Sequence, residues 1–284
     1  MKILVLGASG MAGHTVSLYF KECGHSVTAF STTPFVHCEN IVGNAFDTVL
    51  LRKVITEGEF DGIINCIGIL NQSAEDNKAL AVYLNSYLPH QLVELSKGTR
   101  AKLIHMSTDC VFSGKTGNYT EESFKDGETF YDRSKALGEV IDNTNLTFRN
   151  SVVGPDINKN GIGLFNWFMK QRGTINGYTG AMWTGVTTLT LAKAMERAFQ
   201  ENLTGLYNLV NNISISKYDL LSLFNKYFGN GEIEILPSDK IKVNKQLVKT
   251  REDFSFVVPS YEQMVAEMYD WVIAHKELYP HYRR

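Results

Sequence analysis

The sequence predicts an α/β protein: a doubly wound parallel sheet that carries a smaller α+β portion. Three observations lead there. Short, unbroken apolar runs alternate with helical patterns over residues 1–155, as expected of strands buried on both faces of a parallel sheet. The first run leads straight into a glycine-rich turn that opens a helix. Beyond Ser151 the alternation breaks and segments of mixed character take over.

Residues 2–6 (Lys-Ile-Leu-Val-Leu) are the first expected strand, followed by Gly7-Ala8-Ser9-Gly10-Met11-Ala12-Gly13 and a helix over 15–23. Glycines let backbone approach a pyrophosphate, and the helix N-terminus adds free N–H groups and a positive dipole. Gly7, Ser9, Gly10, Met11 and Gly13 are therefore candidate cofactor contacts, although GxxGxxG differs by one step from the GxGxxG fingerprint. The second strand, 25–30, ends in two further candidates, Ser31 and Thr32. A site for NAD usually has an acidic residue here for the ribose 2′-hydroxyl, and none stands between Val27 and Thr33. Hydroxyls in that place point to NADPH, with NADH possible, although no arginine stands there to meet a 2′-phosphate.

After a short segment from Ile41, Asp47 either meets the adenine edge or caps the helix expected over 48–57. The strand over 62–68 supplies Cys66 and Gly68 as further cofactor candidates, and a helix over 79–97 contains Asn85. The strand over 101–106 ends in Ser107-Thr108-Asp109-Cys110. Sheets of this kind bind ligands outside the carboxyl ends of their strands, where Thr108 and the turn at 7–13 both sit. A strand over 146–153 stops at Gly154-Pro155. Past it come an amphipathic helix over 161–170, loop or short strand over 173–188, and a helix over 189–201. A strand over 205–210 is placed to rejoin the sheet. A helix over 218–228, a short strand over 233–236 and a core-facing helix over 260–276 complete the chain. Residues 1–155, rejoined by 189–212, are the expected dinucleotide-binding domain; 156–188 and 213–284 form the second.

Composition narrows the classes. The 284 residues are long enough for one large or two intimate domains. A net charge of −2 gives no general attraction to nucleic acid or membrane. Cys23, Cys38, Cys66 and Cys110 lack CxxC spacing, which argues for reduced thiols in a cytoplasmic protein and against zinc. No stretch reaches transmembrane length, and Met1 runs directly into the first strand without signal-peptide architecture.

The chemistry converges on Tyr131-Asp132-Arg133-Ser134-Lys135. Four residues apart at the start of a helix (134–140), Tyr131 and Lys135 share a face. A nearby ammonium favours the phenolate, which makes the pair a tunable proton donor and acceptor for carbonyl chemistry. The glycine turn, Ser107-Thr108 at a strand end and Tyr131-x-x-x-Lys135 one helix further on together resemble the extended short-chain dehydrogenase/reductase family. The fold this implies is a Rossmann-type sheet with a smaller α+β substrate-binding domain. The stretches 107–114 and 131–139, and Asn85-Ser-Tyr-Leu-Pro89-His90, look more narrowly like nucleotide-sugar 4-ketoreductases related to dTDP-4-dehydrorhamnose reductase.

The resemblance implies an NAD(P)H-dependent reduction of a nucleotide-linked 4-keto-6-deoxy sugar, in deoxysugar and cell-surface polysaccharide biosynthesis. Thr108 would hydrogen-bond the keto oxygen, Tyr131 would protonate it, and Lys135 would hold the nicotinamide ribose and lower the tyrosine pKa. Asn85 would orient Lys135 through water. Asp109, Cys110 and Trp183 fall among the substrate contacts, and Arg251 would grip the diphosphate unless it is a surface arginine. Cys110 stands where the rhamnose enzymes usually carry tyrosine. It is either a packing residue or, as in epimerase–reductases of the same fold, an acid or base. The second-domain histidine those enzymes use is missing here. Dehydratases of this fold need an Asp-Glu pair, and Asp109 stands alone. The remaining alternative is a non-catalytic NADP-binding regulatory subunit, since such a subunit of methionine adenosyltransferase resembles this fold. A homodimer is possible, and no spacing supports a metal site.

Overall fold

The structure, a computed structural model, describes residues 1–229 and 233–282. Its centre is a seven-stranded sheet built from β1 (Lys2–Leu6), β2 (Ser26–Ser31), β3 (Glu39–Val42), β4 (Gly62–Asn65), β5 (Lys102–Ser107), β6 (Leu146–Arg149) and β10 (Gly205–Asn208). The order is β10-β6-β5-β4-β1-β2-β3, and every neighbouring pair is parallel. The strand order reverses beside β1, so a crevice opens at its carboxyl end between β1 and β4. β1 and β4 are almost wholly buried, as their unbroken apolar sequences require.

Helices cover both faces. α1 (Met11–Glu22) packs beside α8 (Thr188–Gln200) on one side, where Phe20, Phe199, Phe148 and Tyr207 join the larger core. α2 (Thr48–Glu57) and α5 (Leu88–Ser96) close the other with Leu51, Ile55, Leu88 and Leu92. The helix begins at Met11 rather than near Thr15, because Gly10 already serves as its N-cap and Gly13 sits in the first turn.

The single helix expected over 79–97 is three pieces. After α3 (Asn71–Asp76) and α4 (Lys78–Ala81), a π-helical turn runs from Val82 to Tyr87 before α5 begins. Pro89 explains the break: without an N–H it cannot bond the carbonyl of Asn85 one turn back. Gly138, the C-cap of α6 (Phe130–Leu137), fills the space beside that carbonyl. A Cβ built there would stand 1.8 Å from the Asn85 oxygen. Gly138→Ala is therefore expected to cost ~1–3 kcal/mol or more through forced backbone separation. Chemical denaturation checks this, and an unchanged midpoint would contradict the close approach.

Beyond β6 the chain adds β7 (Ser151–Val153), α7 (Leu164–Met169) and β9 (Gly185–Thr187), with β7 and β9 paired in parallel. The glycine-rich stretch expected as loop or short strand is an eleven-residue strand, β8 (Gly173–Trp183). It lies between β11 (Ile215–Ser216), antiparallel, and β12 (Ile233–Asn244), parallel. β12 runs well past the expected 233–236. Its Ser-Asp-Lys continuation is mostly exposed, so no apolar pattern announced it. α9 (Lys217–Phe228) and α10 (Tyr261–Ala274) pack against each other and bring Phe224, Met264 and Met268 into the core that also holds β1. No helix among the described residues is long and apolar enough to cross a membrane.

Candidate active site

The turn after β1 is shaped by close contact. Gly7 has φ +80°, and a Cβ on Gly13 would lie 2.1 Å from the Gly7 oxygen, so turn and helix are pressed together without side chains. Gly10 caps α1 without a side-chain hydrogen bond, which leaves the first N–H groups of the helix for a ligand. Beside it lies a cavity of about 340 Å³ lined by Gly7, Ser9, Gly10, Ser31, Thr32, Cys66 and Gly68, with Phe30, Asn44 and Phe46 among its walls. The site fits a dinucleotide: a side-chain-free cradle and an open helix N-terminus at one end, apolar walls along its length.

Other cofactor candidates have different duties. Met11 lies in the first turn of α1, its sulfur beside Gly163. Asp47 is exposed and accepts the Leu50 N–H at 2.9 Å, which makes it the cap of α2 and not a cavity residue. Burial raises the Cys66 thiol to about 12, opposed by Lys135, so it stays protonated. Around the Ser31–Thr32 end, no charged side chain lines the cavity among the described residues.

The three residues expected to perform the chemistry come together at the end of β5. Thr108 accepts the Cys110 N–H at 3.1 Å, donates to Asp109 Oδ1 at 3.1 Å, caps a short 3-10 turn (Asp109–Val111), and stands close to the Tyr131 hydroxyl. Tyr131 is placed by α6, whose start is fixed by a reciprocal Thr129–Asp132 capping box. Its backbone N–H also reaches Glu75 at 3.1 Å. Lys135, one turn on, donates to the Met106 carbonyl at 2.7 Å. All three side chains are buried.

The electrostatics differ from the expectation. Burial pushes the Tyr131 hydroxyl well above its ordinary value, with the Cys110 thiol adding to this and the nearby Thr108 hydroxyl opposing. Burial also draws Lys135 down to about 8, with Glu139 holding it up. Burial is the largest influence on the tyrosine, and the Lys135 ammonium is hydrogen-bonded to the β5 backbone. Tyr131 is thus fully protonated at neutral pH, the state a proton donor needs.

Asn85 does not orient Lys135. Buried in the π-turn, it donates to the Ile69 carbonyl and to Ser134 Oγ, and accepts the Ile69 N–H at 2.9 Å. It therefore locks the chain following β4 to the helix that carries Tyr131. Behind the site, Glu139 accepts from Ser107 Oγ at 2.7 Å and from Arg149 Nε and Nη2 at 2.8 Å each, with Lys125 at 3.0 Å. Burial works against the Glu139 carboxylate, yet Arg149, Lys125 and Ser107 hold it below its usual value. Sequence reasoning gave Glu139 and Arg149 no role; a buried fork-to-fork pair is visible only once β6 lies beside β5.

On the substrate side, Asp109 and Cys110 lie next to Thr108, and burial raises both, Cys110 to about 12. Trp183 is buried, packed against Tyr261, with Lys217 Nζ 5.2 Å from the centre of its ring. Arg251 is not available to a diphosphate. Its Nη1 is bound to the Thr204 and Leu206 carbonyls at 2.7 and 2.8 Å, its Nε to Asp253, and it stacks over Tyr207. Two lysines the sequence left unread, Lys217 and Lys245, lie within electrostatic reach of Asp109 instead.

A parallel sheet in this order, a glycine cradle at its switch point and a Thr–Tyr–Lys set at the neighbouring strand end define an extended short-chain dehydrogenase/reductase. Within that class, the chain belongs to the RmlD substrate binding domain family, whose profile matches residues 1–271. It is 31% identical over 143 residues to a probable low-salt glycan biosynthesis reductase, Agl14, of Haloferax volcanii, covering 49% of this chain and 48% of that one. It is 29% identical over 146 residues to the methionine adenosyltransferase 2 subunit beta of Xenopus laevis, covering 49% and 41%. It is 31% identical over 138 residues to the dTDP-4-dehydrorhamnose reductase of Streptomyces griseus, covering 48% and 43%. In these matches the chain spans about half the length of the curated relatives. Among solved structures, the dTDP-4-dehydrorhamnose reductase of Bacillus anthracis in complex with NADP superposes with a TM-score of 0.80 at 18% identity, over 95% of this chain and 99% of that one. That similarity extends the shared fold to nearly the whole chain.

Proposed function

We propose that the chain reduces the keto group of a nucleotide-linked 4-keto-6-deoxy sugar, with NADPH as donor, in the synthesis of deoxysugars for surface polysaccharides. The observation that carries this is the meeting of Thr108, Tyr131 and Lys135 beside the glycine cradle. A protein that only bound the dinucleotide would have no use for a buried, protonated tyrosine beside a threonine at that spot. Residues 1–155 with 189–212 form the dinucleotide-binding domain in this reading, and 156–188 with 213–284 the substrate-binding one.

A bound nicotinamide supplies the hydride. The turn at Gly7, Gly10 and Gly13 and the N–H groups of α1 hold the pyrophosphate, and Lys135 holds the adjoining ribose. Thr108 and Tyr131 hydrogen-bond the ketone oxygen; as negative charge grows there, Tyr131 gives its proton. NADPH is favoured over NADH because Thr32 offers a hydroxyl and no carboxylate lines the cavity among the described residues, while the Ser31 hydroxyl is spent on the Thr33 carbonyl. The test is oxidation of NADPH or NADH by the purified chain, followed by absorbance, with dTDP-, UDP-, GDP- and CDP-linked 4-keto-6-deoxy sugars. Turnover with one of them is expected, faster with NADPH.

The likeness to a methionine adenosyltransferase subunit supports a second reading, in which the chain binds NADP and regulates a partner protein. Inactivity on every such sugar, with tight NADP binding, would favour it. Epimerisation through Cys110 is the other branch. A thiol near 12 is a poor base at neutral pH, so Cys110→Ser is expected to leave reduction within about threefold of the parent rate. Deuterium from solvent at the carbon beside the ketone, present in the parent product and lost in the variant, would overturn that.

A further inference from the structure

The end of the three-stranded sheet lies against the catalytic loop, and a lysine follows each of its flanking strands. Met182 of β8 pairs with Ser216 of β11 on one side and with Asn244 of β12 on the other. The residue after each is a lysine. β12 runs parallel to β8, so Lys245 continues toward the level of Trp183, whereas β11 is antiparallel and Lys217 leaves the other way to open α9. The end of β12 is fastened to the loop beyond Thr108: Asn244 N–H donates to the Gly114 carbonyl at 3.0 Å, and Leu247 bridges to Tyr119. Lys217 rests over the Trp183 ring. The buried Asp109 carboxylate feels both lysines, Lys245 more than Lys217.

Neither lysine makes a hydrogen bond or ion pair with another described residue, whereas Lys125 and Lys193 are each paired with a carboxylate. An ammonium taken partly out of water without a counter-ion is unfavourable, and an incoming anion removes that cost. The carboxylate that acts on Lys217 is Asp109, and burial raises its own pKa, so it offsets that positive charge only in part. Phosphate oxygens suit lysine as a point-charge partner.

We propose that Lys217 and Lys245 together seat the diphosphate of the sugar nucleotide, an assignment that rests on the reductase reading above. It replaces Arg251, whose donors are consumed by the chain itself. Burial, which draws Lys217 down to about 8 against the pull of Asp109 and Cys110, agrees with a cation waiting for its anion.

Calorimetric titration of the NADPH-loaded protein with dTDP, UDP, GDP and CDP tests this. Lys217→Gln and Lys245→Gln are each expected to weaken the nucleoside diphosphate that binds by roughly tenfold or more, as loss of a charge-assisted contact should. NADPH affinity, measured on the same variants, is expected to stay at the parent value and so shows that they are folded. Lys217→Arg is expected to retain most nucleotide affinity. Undiminished nucleotide binding in both glutamine variants overturns the seat, and a loss confined to one overturns its two-lysine form. Failure of the parent protein to bind any of the four would instead remove the sugar-nucleotide reading, and this assignment with it.

Discussion

Tyr131→Phe is expected to remove most turnover while leaving NADPH affinity nearly unchanged. The ring is buried beside Ala74 and Ala81, and phenylalanine keeps that packing. What it loses is the buried hydroxyl beside Thr108 that can give a proton to the ketone oxygen. General acid catalysis is worth ~10²–10⁴-fold, so the deficit should appear in kcat with little change in KM. Steady-state NADPH oxidation and a parallel fluorescence titration of the cofactor separate the two effects. Parent-like turnover would mean that the proton comes from another group.

Glu139→Ala is expected to have the largest effect on stability. The Glu139 and Arg149 side chains are essentially sealed from solvent, so removal of one leaves the other as an unpaired buried ion. Breaking such a pair costs about 3–5 kcal/mol. The same change releases Ser107, the residue before Thr108, and removes the carboxylate that supports the charge on Lys135. Urea denaturation should therefore show a sharply lowered midpoint, and any folded fraction should bind NADPH less well. A shift of under 1 kcal/mol would show that the network is not the support it is taken for.

The first half of the chain was open to sequence reading because its signals are local. Residues 2–6 are apolar on both faces, the glycine turn abuts them, and Tyr131 and Lys135 lie four apart on one helix. The tyrosine's electrostatics were not local: they are set by its burial and by Cys110, which the fold brings from the end of β5. Asn85 reads as an ordinary helical residue until Pro89 is seen to open the π-turn around it. The substrate side was the least legible. β12 carries Ser238-Asp239-Lys240, a loop-like composition, where its register with β8 breaks before pairing resumes at Lys242. Lys217 and Lys245 went unread because nothing nearby in the sequence shows that the ends of β11 and β12 lie on either side of β8. Arg251 failed in the opposite sense: its charge was noticed, but the Thr204 and Leu206 carbonyls that occupy it were out of view.

The central claim is that Thr108, Tyr131 and Lys135 serve transfer of a hydride to a sugar ketone. NADPH deuterated at the transferring position, incubated with the chain and a nucleotide-linked 4-keto-6-deoxy sugar, tests it most directly through mass and NMR analysis of the product. The account predicts one deuterium on the new alcohol carbon of the sugar, formed by the parent protein and nearly abolished in Tyr131→Phe. Bound cofactor that never passes its deuterium to any of these sugars would contradict it.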